Sequence, residues 1–351
     1  MFSSDRHHPD AGSLARLAAE LASRGPRTAV EGPWASGAFD CLARSGALAG
    51  FIPDDCGGTA AAEPALVAVL ATVAEACLTT ALVLSQWAAA CRIIAAGPPA
   101  VRAARLPALA RGDATTTVGI SQLSTSRRHL AAPALVAARA ATGWRIDGLC
   151  PWVTGAAACD TIVTGAPTAA GEQLFFVVST TAAGLEIAPP LPLLALAGSL
   201  TSSVRFAGVA PADVIVPAEG GGVRTGGLAT TALALGATRA ALAVLDREAV
   251  ARPALTAAAA GLRTEAVALA ADLDAAARHG AEADARDALR VRANGLVVRA
   301  AQGALTASKG AGFVAGHPAE RLVREAMFFL VWSCPQAVSS AVLCELAGLE
   351  P

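Results

Sequence analysis

The stretch Ile146-Asp-Gly-Leu-Cys-Pro-Trp-Val-Thr-Gly-Ala-Ala-Ala-Cys-Asp160 is the part of the sequence that determines the organisation of the chain. It lies between two β-like runs, residues 134–138 and 161–164, in the region where period-two spacing replaces helical spacing. A Trp-Val-Thr tripeptide in a tight strand connection places a flat ring and a hydroxyl on one side of the backbone. These two groups suit the binding of a planar cofactor.

Length and composition limit the class of protein. The 351 residues suffice for one large domain or two to three small ones, with a sizeable core. Alanine is the most frequent residue of the 54% apolar fraction, aromatic residues make up only 4%, and tyrosine is absent, which favours closely packed helices. The formal net charge is -1 and the arginines are scattered, so we expect no nucleic-acid-binding surface.

The cysteines and the apolar runs indicate a cellular setting. Eight cysteines, at positions 41, 56, 77, 91, 150, 159, 334 and 344, form no Cys-x-x-Cys pair and have no histidine at metal-ligand spacing. We therefore expect a reduced, cytoplasmic protein without a metal site. Residues 1–10 are polar and do not resemble a secretory signal. Long apolar runs such as 228–245 contain Arg239 and show helical periodicity, so we expect buried helices and no membrane span.

Helical spacing covers most of the chain on both sides of one central region. The predicted helices are 13–23, 34–45, 63–96 (two helices), 101–111, 230–251, 262–278, 283–308, 318–331 and 336–347. We expect Ser13 to cap the first of them. Period-two spacing predicts six short strands, at 115–121, 134–139, 144–149, 161–164, 174–178 and 204–206. Short strands with this spacing are typical of a small antiparallel barrel.

The predicted fold class is therefore α+β, mainly α, in three domains. Residues 1–113 form an N-terminal α-helical domain, residues 114–218 a central antiparallel β-barrel, and residues 228–351 a C-terminal four-helix bundle.

The Trp152-Val-Thr-Gly155 motif, between Asp147-Gly148 and Cys159-Asp160, resembles the flavin-contacting segment of the acyl-CoA dehydrogenase family. Pro53-Asp-Asp-Cys-Gly-Gly58 is similar to the family's Pro-Glu-x-x-Gly-Gly signature. Residues 318–326 resemble its Pro-x-Glu-Arg-x-x-Arg-Asp-Ala helix, with Glu325 for Asp. The domain order is also that of the family, so the resemblance covers nearly the whole chain and implies FAD as the cofactor.

Three residues of the central region match family contacts to the flavin ring. Trp152 matches the tryptophan that packs beside the isoalloxazine, and Thr154 matches the threonine that hydrogen-bonds to it. Ser121 matches the threonine of the family's Thr-Glu-Pro-x-x-Gly-Ser loop, whose glutamate and proline have become Gln122 and Leu123. Without the resemblance, a loop rich in hydroxyl groups is most often an ordinary turn.

Three further residues match family contacts to the rest of FAD. Arg252 matches an arginine that reaches across a dimer interface to the pyrophosphate, although Pro253 follows it where the family has Phe-Gly. As an alternative, Arg252 is a helix-end arginine that balances the helix dipole. Gly310 and Gly312 match the glycine loop that cradles the AMP part, with Lys309 in place of the first glycine. The alternative for this loop is a turn that ends a helix.

The family's catalytic glutamate has no counterpart. The resemblance implies α,β-dehydrogenation of an acyl thioester, in which this glutamate removes the α-proton. In most members the glutamate occupies the position that matches Ser333 of this chain, and in other members it occupies the position that matches Pro253. Neither residue is a base at neutral pH. We expect the nearby Glu248 to point away from Arg252. Cys334 is a conceivable redox thiol, although a cysteine among apolar neighbours is more often a packing residue.

These observations leave three hypotheses open. The first is an acyl-CoA dehydrogenase-like flavin-dependent oxidoreductase that acts on an acyl-CoA or acyl-carrier thioester, with the base supplied by a partner subunit. The second is a repurposed flavin-dependent monooxygenase of the same fold. The third is a non-catalytic subunit of a heteromeric acyl-CoA dehydrogenase, with no bound flavin. In each case the alanine-rich faces of the C-terminal bundle predict a homo- or hetero-oligomer, either a dimer or a tetramer.

Overall fold

The computed structural model describes residues 10–124, 133–216, 227–332 and 334–349, which form two compact units. The first unit contains the described residues of Met1–Ala61, Leu82–Leu193 and Ala197–Arg224. The second contains those of Ala62–Ala81, Leu194–Leu196 and Thr225–Pro351. The division into three domains stays a prediction. The early helical segment Ala62–Ala81 belongs to the same compact unit as the C-terminal helices.

Helices dominate the described part of the chain on both sides of a β-rich region. The helices of the first half are α1 (Ala11–Glu31), α2 (Ala38–Arg44), α3 (Ala47–Gly50), α4 (Glu63–Ala76), α5 (Leu78–Ala95), α6 (Pro99–Arg111) and α7 (Ser121–Ser124). Those of the second half are α8 (Leu228–Ala251), α9 (Thr256–His279), α10 (Ala283–Ser308), α11 (Pro318–Met327) and α12 (Gln336–Ala347). The predicted bounds of α10 and α12 are confirmed to the residue.

The start of α1 corrects the prediction that Ser13 caps it. Asp10 is the capping residue, because its Oδ1 accepts a hydrogen bond of 2.8 Å from the backbone N–H of Ser13. This bond satisfies one of the amides that a helix start leaves unpaired. It also lowers the pKa of the Asp10 carboxyl. The helix then continues through Pro26 to Glu31, beyond the predicted end at residue 23.

Eight strands among the described residues form two four-stranded sheets in the first unit. The strands are β1 (Thr116–Gly119), β2 (Leu135–Ala140), β3 (Gly143–Val153), β4 (Thr161–Pro167), β5 (Gln173–Ser179), β6 (Leu185–Ile187), β7 (Ser202–Val209) and β8 (Asp213–Ile215). One sheet has the order β1-β4-β5-β8 and the other the order β2-β3-β7-β6. The predicted β-rich region between two helical regions is therefore confirmed.

The sheets share one apolar core. Ile146, Val204 and Phe206 contribute to it from the second sheet, and Ile162 and Phe176 contribute from the first. Alternation along each strand brings these side chains to the inner face. One isolated bridge, between Ala137 and Thr168, joins the two sheets in the described residues.

Two details differ from the predicted antiparallel barrel of six strands. Strands β1 and β4 pair in parallel. Between them the chain crosses to the other sheet, forms the β2–β3 hairpin there, and returns to run beside β1 in the same direction. Strands β6 and β8 are additional, with three residues each. They are too short to show a period, and pairing with β7 and β5 is what makes them strands.

Close helix packing explains the alanine-rich composition of the second unit. A Cβ atom at Gly236 of α8 would lie 2.2 Å from the carbonyl oxygen of Ala71 on α4, so only glycine permits this approach. Buried alanines such as Ala293, Ala300 and Ala304 line the inner side of α10. Small side chains thus allow the helix backbones of this unit to lie near one another.

Three helical segments are long and apolar enough to cross a membrane by length and composition. Leu78–Ala95 and Leu228–Ala251 are 72% and 78% buried within the protein, as expected for core helices. Pro253–His279 is only 17% buried. Leu269 and Leu273 are among its buried residues, so its exposed apolar surface consists mainly of alanines and Val267.

Candidate functional site

Trp152 is the largest exposed side chain near the predicted flavin-ring site. It lies in β3, not in a strand connection as the sequence suggested, and 47% of its surface is exposed. Cys150 and Val153, on either side, are fully buried. Cys150 pairs with Val204 and Val153 with Ser202, so β3 advances by three residues where β7 advances by two. This β-bulge turns Trp152 outward.

The turn after Thr154 depends on Gly155. This residue has φ 68°, and a Cβ atom on it would lie 2.3 Å from the Trp34 ring. Only glycine meets both conditions without strain. The indole of Trp34 therefore fixes the path of the Trp-Val-Thr-Gly motif, and it stacks in turn on Phe39 with a centroid separation of 5.7 Å.

Thr154 is 8% exposed and belongs to a chain of hydroxyl groups. Its Oγ1 lies 3.2 Å from Thr201 Oγ1, which lies 2.8 Å from Ser199 Oγ. The Thr154 carbonyl accepts a 2.7 Å hydrogen bond from Thr117 Oγ1. No motif in the sequence singled out Thr117, Thr201 or Ser199, although Thr117 and Thr201 lie in the runs of hydroxyl residues at 115–117 and 201–203.

The structure brings Ser121 to the same place. Its Oγ lies 3.5 Å from the carbonyl oxygen of Trp152 and 3.7 Å from Cys150 Sγ. The buried Gln122 donates through Nε2 to the carbonyl of Gly165, at 3.1 Å, and its Oε1 accepts from Cys150 Sγ, also at 3.1 Å. Gln122 therefore holds this loop to β3 and β4, a role that its sequence position did not reveal.

The described residues of this part of the candidate site carry no charge. Burial raises the pKa of Cys150 to about 11, so this thiol is neutral at physiological pH. The remaining groups are the indole of Trp152 and the hydroxyls of Ser121 and Thr154. An exposed indole beside neutral hydroxyl groups fits one edge of a flat, uncharged ring system.

The other predicted residues lie in the second unit, also close to one another. Arg252 follows α8, and its side chain is 29% exposed. Its Nη2 donates to Glu248 Oε2, at 2.6 Å, and to the carbonyl of Ala307, two residues before Lys309. These are contacts of a helix-end arginine, and the pyrophosphate role stays a prediction.

The contact with Glu248 corrects one expectation. The expectation that Glu248 points away from Arg252 is wrong. Residues four apart lie on the same side of a helix, within about 40° of each other. Glu248 is therefore an ion-pair partner of Arg252.

The glycine loop forms a 3-10 turn, Lys309–Phe313. Gly312 is buried, and a Cβ atom on it would lie 2.6 Å from the Ser308 side chain, so glycine is required there. Gly310 faces open space. Lys309 has φ 52° and ψ -148°, a conformation natural for the glycine that the family has at this position.

The two positions of the family's base offer no carboxylate. Ser333 lies outside the described residues, and Pro253 starts a 3-10 turn, Pro253–Leu255. Glu325 is 4% exposed, and burial raises the pKa of its carboxyl against the opposing charge of Arg321. No group of three or more His, Cys, Asp or Glu side chains in the described ranges is able to hold a metal ion.

Solved structures with the same fold are numerous. A glutaryl-coenzyme A dehydrogenase in its glutaryl-CoA complex superposes with a TM-score of 0.81 at 18% identity, over 97% of this chain and 96% of that chain. A glutaryl-CoA dehydrogenase from Mycobacterium smegmatis in complex with FADH2 has a TM-score of 0.79 at 18% identity, over 100% and 96%. Dibenzothiophene monooxygenase from Paenibacillus sp. A11-2 has a TM-score of 0.71 at 19% identity, over 97% and 98%.

These comparisons show that the chain has the acyl-CoA dehydrogenase fold, as the Trp152 motif led us to expect. No protein-family model and no curated protein sequence matches the chain. The fold is shared by dehydrogenases and a monooxygenase, so it does not identify the reaction.

Proposed function

We propose that this chain, with its acyl-CoA dehydrogenase fold, is an FAD-dependent oxidoreductase that takes part in α,β-dehydrogenation of an acyl-CoA or acyl-carrier thioester. The observation that carries the proposal is the exposed indole of Trp152, which a bulge turns outward beside the fixed Thr154 and Ser121. A side chain of this size, exposed next to a rigid hydroxyl chain, suits contact with a flat ring.

The residues that would hold FAD fall into two groups. Trp152, Thr154 and Ser121 fit the ring system. Arg252 and the backbone around Gly310 fit phosphate and ribose, because guanidinium groups and open glycine amides both bind phosphate oxygens. FAD, when bound, supplies the hydride acceptor for dehydrogenation.

The base in this proposal comes from a partner subunit. Pro253 has no proton-accepting side chain, Glu248 is paired with Arg252, and Glu325 is buried. The exposed alanines and Val267 of the segment Pro253–His279 support association with a further chain, of the same or another kind. All eight cysteines are free, which supports a reducing compartment, and we assign the protein to the cytoplasm.

The flavin absorbance spectrum of the purified chain, alone and co-expressed with a candidate partner, tests FAD binding. Replacing Trp152 by Ala removes a ring contact worth about 1 kcal/mol, so we expect FAD to bind several-fold to tenfold more weakly. Val136→Ala, at another exposed β-strand residue of the same unit, is the control and should leave the affinity unchanged. Absence of flavin in both preparations would refute the proposal.

A flavin-dependent monooxygenase is the second candidate. Its support is the missing glutamate at both family positions, together with the shared fold of dibenzothiophene monooxygenase. Under anaerobic conditions, bleaching of the bound flavin by an acyl thioester in the presence of the partner favours the dehydrogenase. Oxygen consumption by the chain with reduced flavin, and no bleaching by thioesters, favours the monooxygenase. Persistent absence of flavin, alone and with the partner, indicates a non-catalytic subunit.

A further inference from the structure

A cleft of about 530 Å³ lies in the first unit, where β2 turns into β3. The β2–β3 hairpin of one sheet contributes to its walls, as do the start of β5 and the segment around β8 of the other sheet. Trp144 in this cleft is eight residues from Trp152, which is about 25 Å along a strand. The cleft is therefore separate from the candidate flavin-ring site, and its volume is typical of sites for small organic molecules.

The apolar part of the cleft continues the core between the two sheets. Trp144 is half-buried and packs edge to face on the fully buried Phe176, with 6.1 Å between the ring centroids. Leu174 belongs to the same core, and Val214 packs against it. Trp144, Leu174 and Val214 all line the cleft. Packing fixes their positions, so they offer a preformed apolar surface.

Two arginines lie beside this apolar surface without a carboxylate partner. The Cζ of Arg139 lies 4.4 Å from the centroid of the Trp144 ring. Among the described residues, the Arg139 guanidinium has neither a hydrogen-bond acceptor nor a salt bridge. The Arg145 guanidinium donates to two neutral acceptors, the Trp144 carbonyl at 2.9 Å and Thr142 Oγ1 at 3.0 Å. Both cations therefore retain N–H groups for a bound anion.

The carboxylates near the cleft leave it with a net positive charge. Asp213, next to Val214, is paired with Arg105 of α6 at 2.8 Å. Glu172 lines the cleft together with the two arginines, so the lining carries two positive charges and one negative charge. A ligand with a single negative charge complements this balance. A dianion such as a phosphate monoester exceeds it and is repelled more strongly by Glu172.

We propose that this cleft is a binding site for a monocarboxylate with an apolar body, such as an ionised aryl-alkyl carboxylic acid. Its carboxylate accepts hydrogen bonds from Arg139 and Arg145, because guanidinium groups match carboxylate geometry. Its apolar body lies against Trp144, Leu174 and Val214, where it is removed from water. The proposal does not depend on flavin binding, since none of the lining residues belongs to the candidate flavin site.

Isothermal titration of the full chain with hydrocinnamate tests this site. One ion pair and a partly buried ring support a Kd of about 0.1–1 mM for a ligand of this size, so we expect saturable binding in that range. Hydrocinnamyl alcohol has the same ring and chain without the charge, and it should bind at least about tenfold more weakly. Absence of saturable hydrocinnamate binding up to about 5 mM, or equal affinity for the two compounds, would overturn the proposal.

Variants that change one charge assign the binding to the cleft. Arg139→Gln should weaken hydrocinnamate binding about tenfold, because it removes a charged donor. Glu172→Gln should strengthen binding several-fold, since it removes the opposing charge, and a loosened fold does not produce such a gain. Arg205→Gln is the control and should leave the affinity unchanged. Arg205 is an exposed arginine of the same unit, outside the cleft, with a long ion pair of 3.9 Å to Glu186.

Trp152→Ala distinguishes this cleft from the candidate flavin-ring site. It should leave the hydrocinnamate affinity unchanged, whatever its effect on flavin. Loss of hydrocinnamate binding in Trp152→Ala would place the ligand at the flavin-ring site and overturn the proposal. Unchanged affinity in both Arg139→Gln and Glu172→Gln would also overturn it, because the charged side chains of the cleft would then be ordinary solvated groups.

Discussion

Lys309 has a backbone conformation that residues other than glycine rarely adopt, with φ 52° and ψ -148°. Strain of this kind costs on the order of 1–3 kcal/mol. Lys309→Gly removes this strain but adds the entropic cost of ordering a glycine on folding. The net effect should be a rise of about 1 kcal/mol in the free energy of unfolding. Chemical denaturation measures this change.

A second variant separates backbone strain from the loss of the lysine side chain. Lys309→Ala removes the charge and the length but keeps Cβ, so we expect no comparable gain in stability. Equal stabilisation by alanine and glycine would show that the side chain, not the backbone, is responsible. Because Lys309 is exposed beside the predicted AMP loop, FAD binding by both variants should weaken if its charge contributes.

Single residues differ in how far the sequence reveals them. Trp152 and Gly155 stand out because a local motif contains them, and Gly155 is indeed required by its close approach to Trp34. Gln122 and Thr201 act through partners more than 40 positions away in the chain. No local pattern predicts such partners. The pairing of Glu248 with Arg252 was predictable, since it follows from helix geometry alone.

At the scale of elements, α11 contains two carboxylates with opposite environments. Burial raises the pKa of Glu325, whereas a hydrogen bond from Arg324 lowers the pKa of Glu320. For Glu325 the folded state holds the proton more tightly than the unfolded state. Stability is therefore lost as pH rises from the ordinary carboxyl value through the raised one. We expect Glu325→Gln to become progressively more stable than the unmodified protein over that window.

Glu320→Gln is the matched control on the same helix. Its lowered pKa stabilises the fold above the ordinary carboxyl value, and this contribution disappears as pH falls through the folded-state value. The control variant should therefore be less stable than the unmodified protein near neutral pH and equal to it in strong acid. Melting temperatures across a pH series measure both effects. Parallel curves for Glu325→Gln and the unmodified protein would contradict the expected role of burial.

The elements themselves were predictable where a local pattern extends over many residues. The bounds of α10 and α12 follow from helical spacing and the flanking residues. The three-residue strands β6 and β8 do not, because pairing with a neighbour defines them. The bulge in β3 also escaped prediction. It extends the strand through Pro151 and gives Trp152 its outward direction.

At the scale of the whole molecule, composition predicted more than individual motifs did. An alanine-rich, tyrosine-free sequence indicated close helix packing, and the approach of α8 to α4 at Gly236 confirms it. The composition did not reveal that the residues 62–81 form one compact unit with the C-terminal helices. That grouping depends on contacts between segments more than 150 residues apart, such as Ala71 and Gly236.

The exposed helix α9 leads to a prediction about assembly. Val267 is 65% exposed on a segment that is 17% buried and yet apolar enough to span a membrane. Several charged residues of α9, among them Arg263, Glu265 and Asp272, are already engaged in ion pairs with other helices of this unit. The remaining apolar surface is therefore available to a second chain. A glutamate at position 267 would bury an unpaired charge in such an interface, so we expect Val267→Glu to weaken association about 100-fold.

Light scattering after size-exclusion chromatography, over a micromolar concentration series, measures this association. Val136→Glu places the same charge on an exposed β-strand residue of the first unit, outside the proposed interface, and should leave the mass unchanged. A monomeric mass for the unmodified chain alone, restored to a complex by a co-expressed partner, would make the interface heteromeric and strengthen the case for a shared base. An oligomer that persists in Val267→Glu would instead exclude this face of α9 from the interface, and the support that the exposed helix gives to a partner-supplied base would be lost.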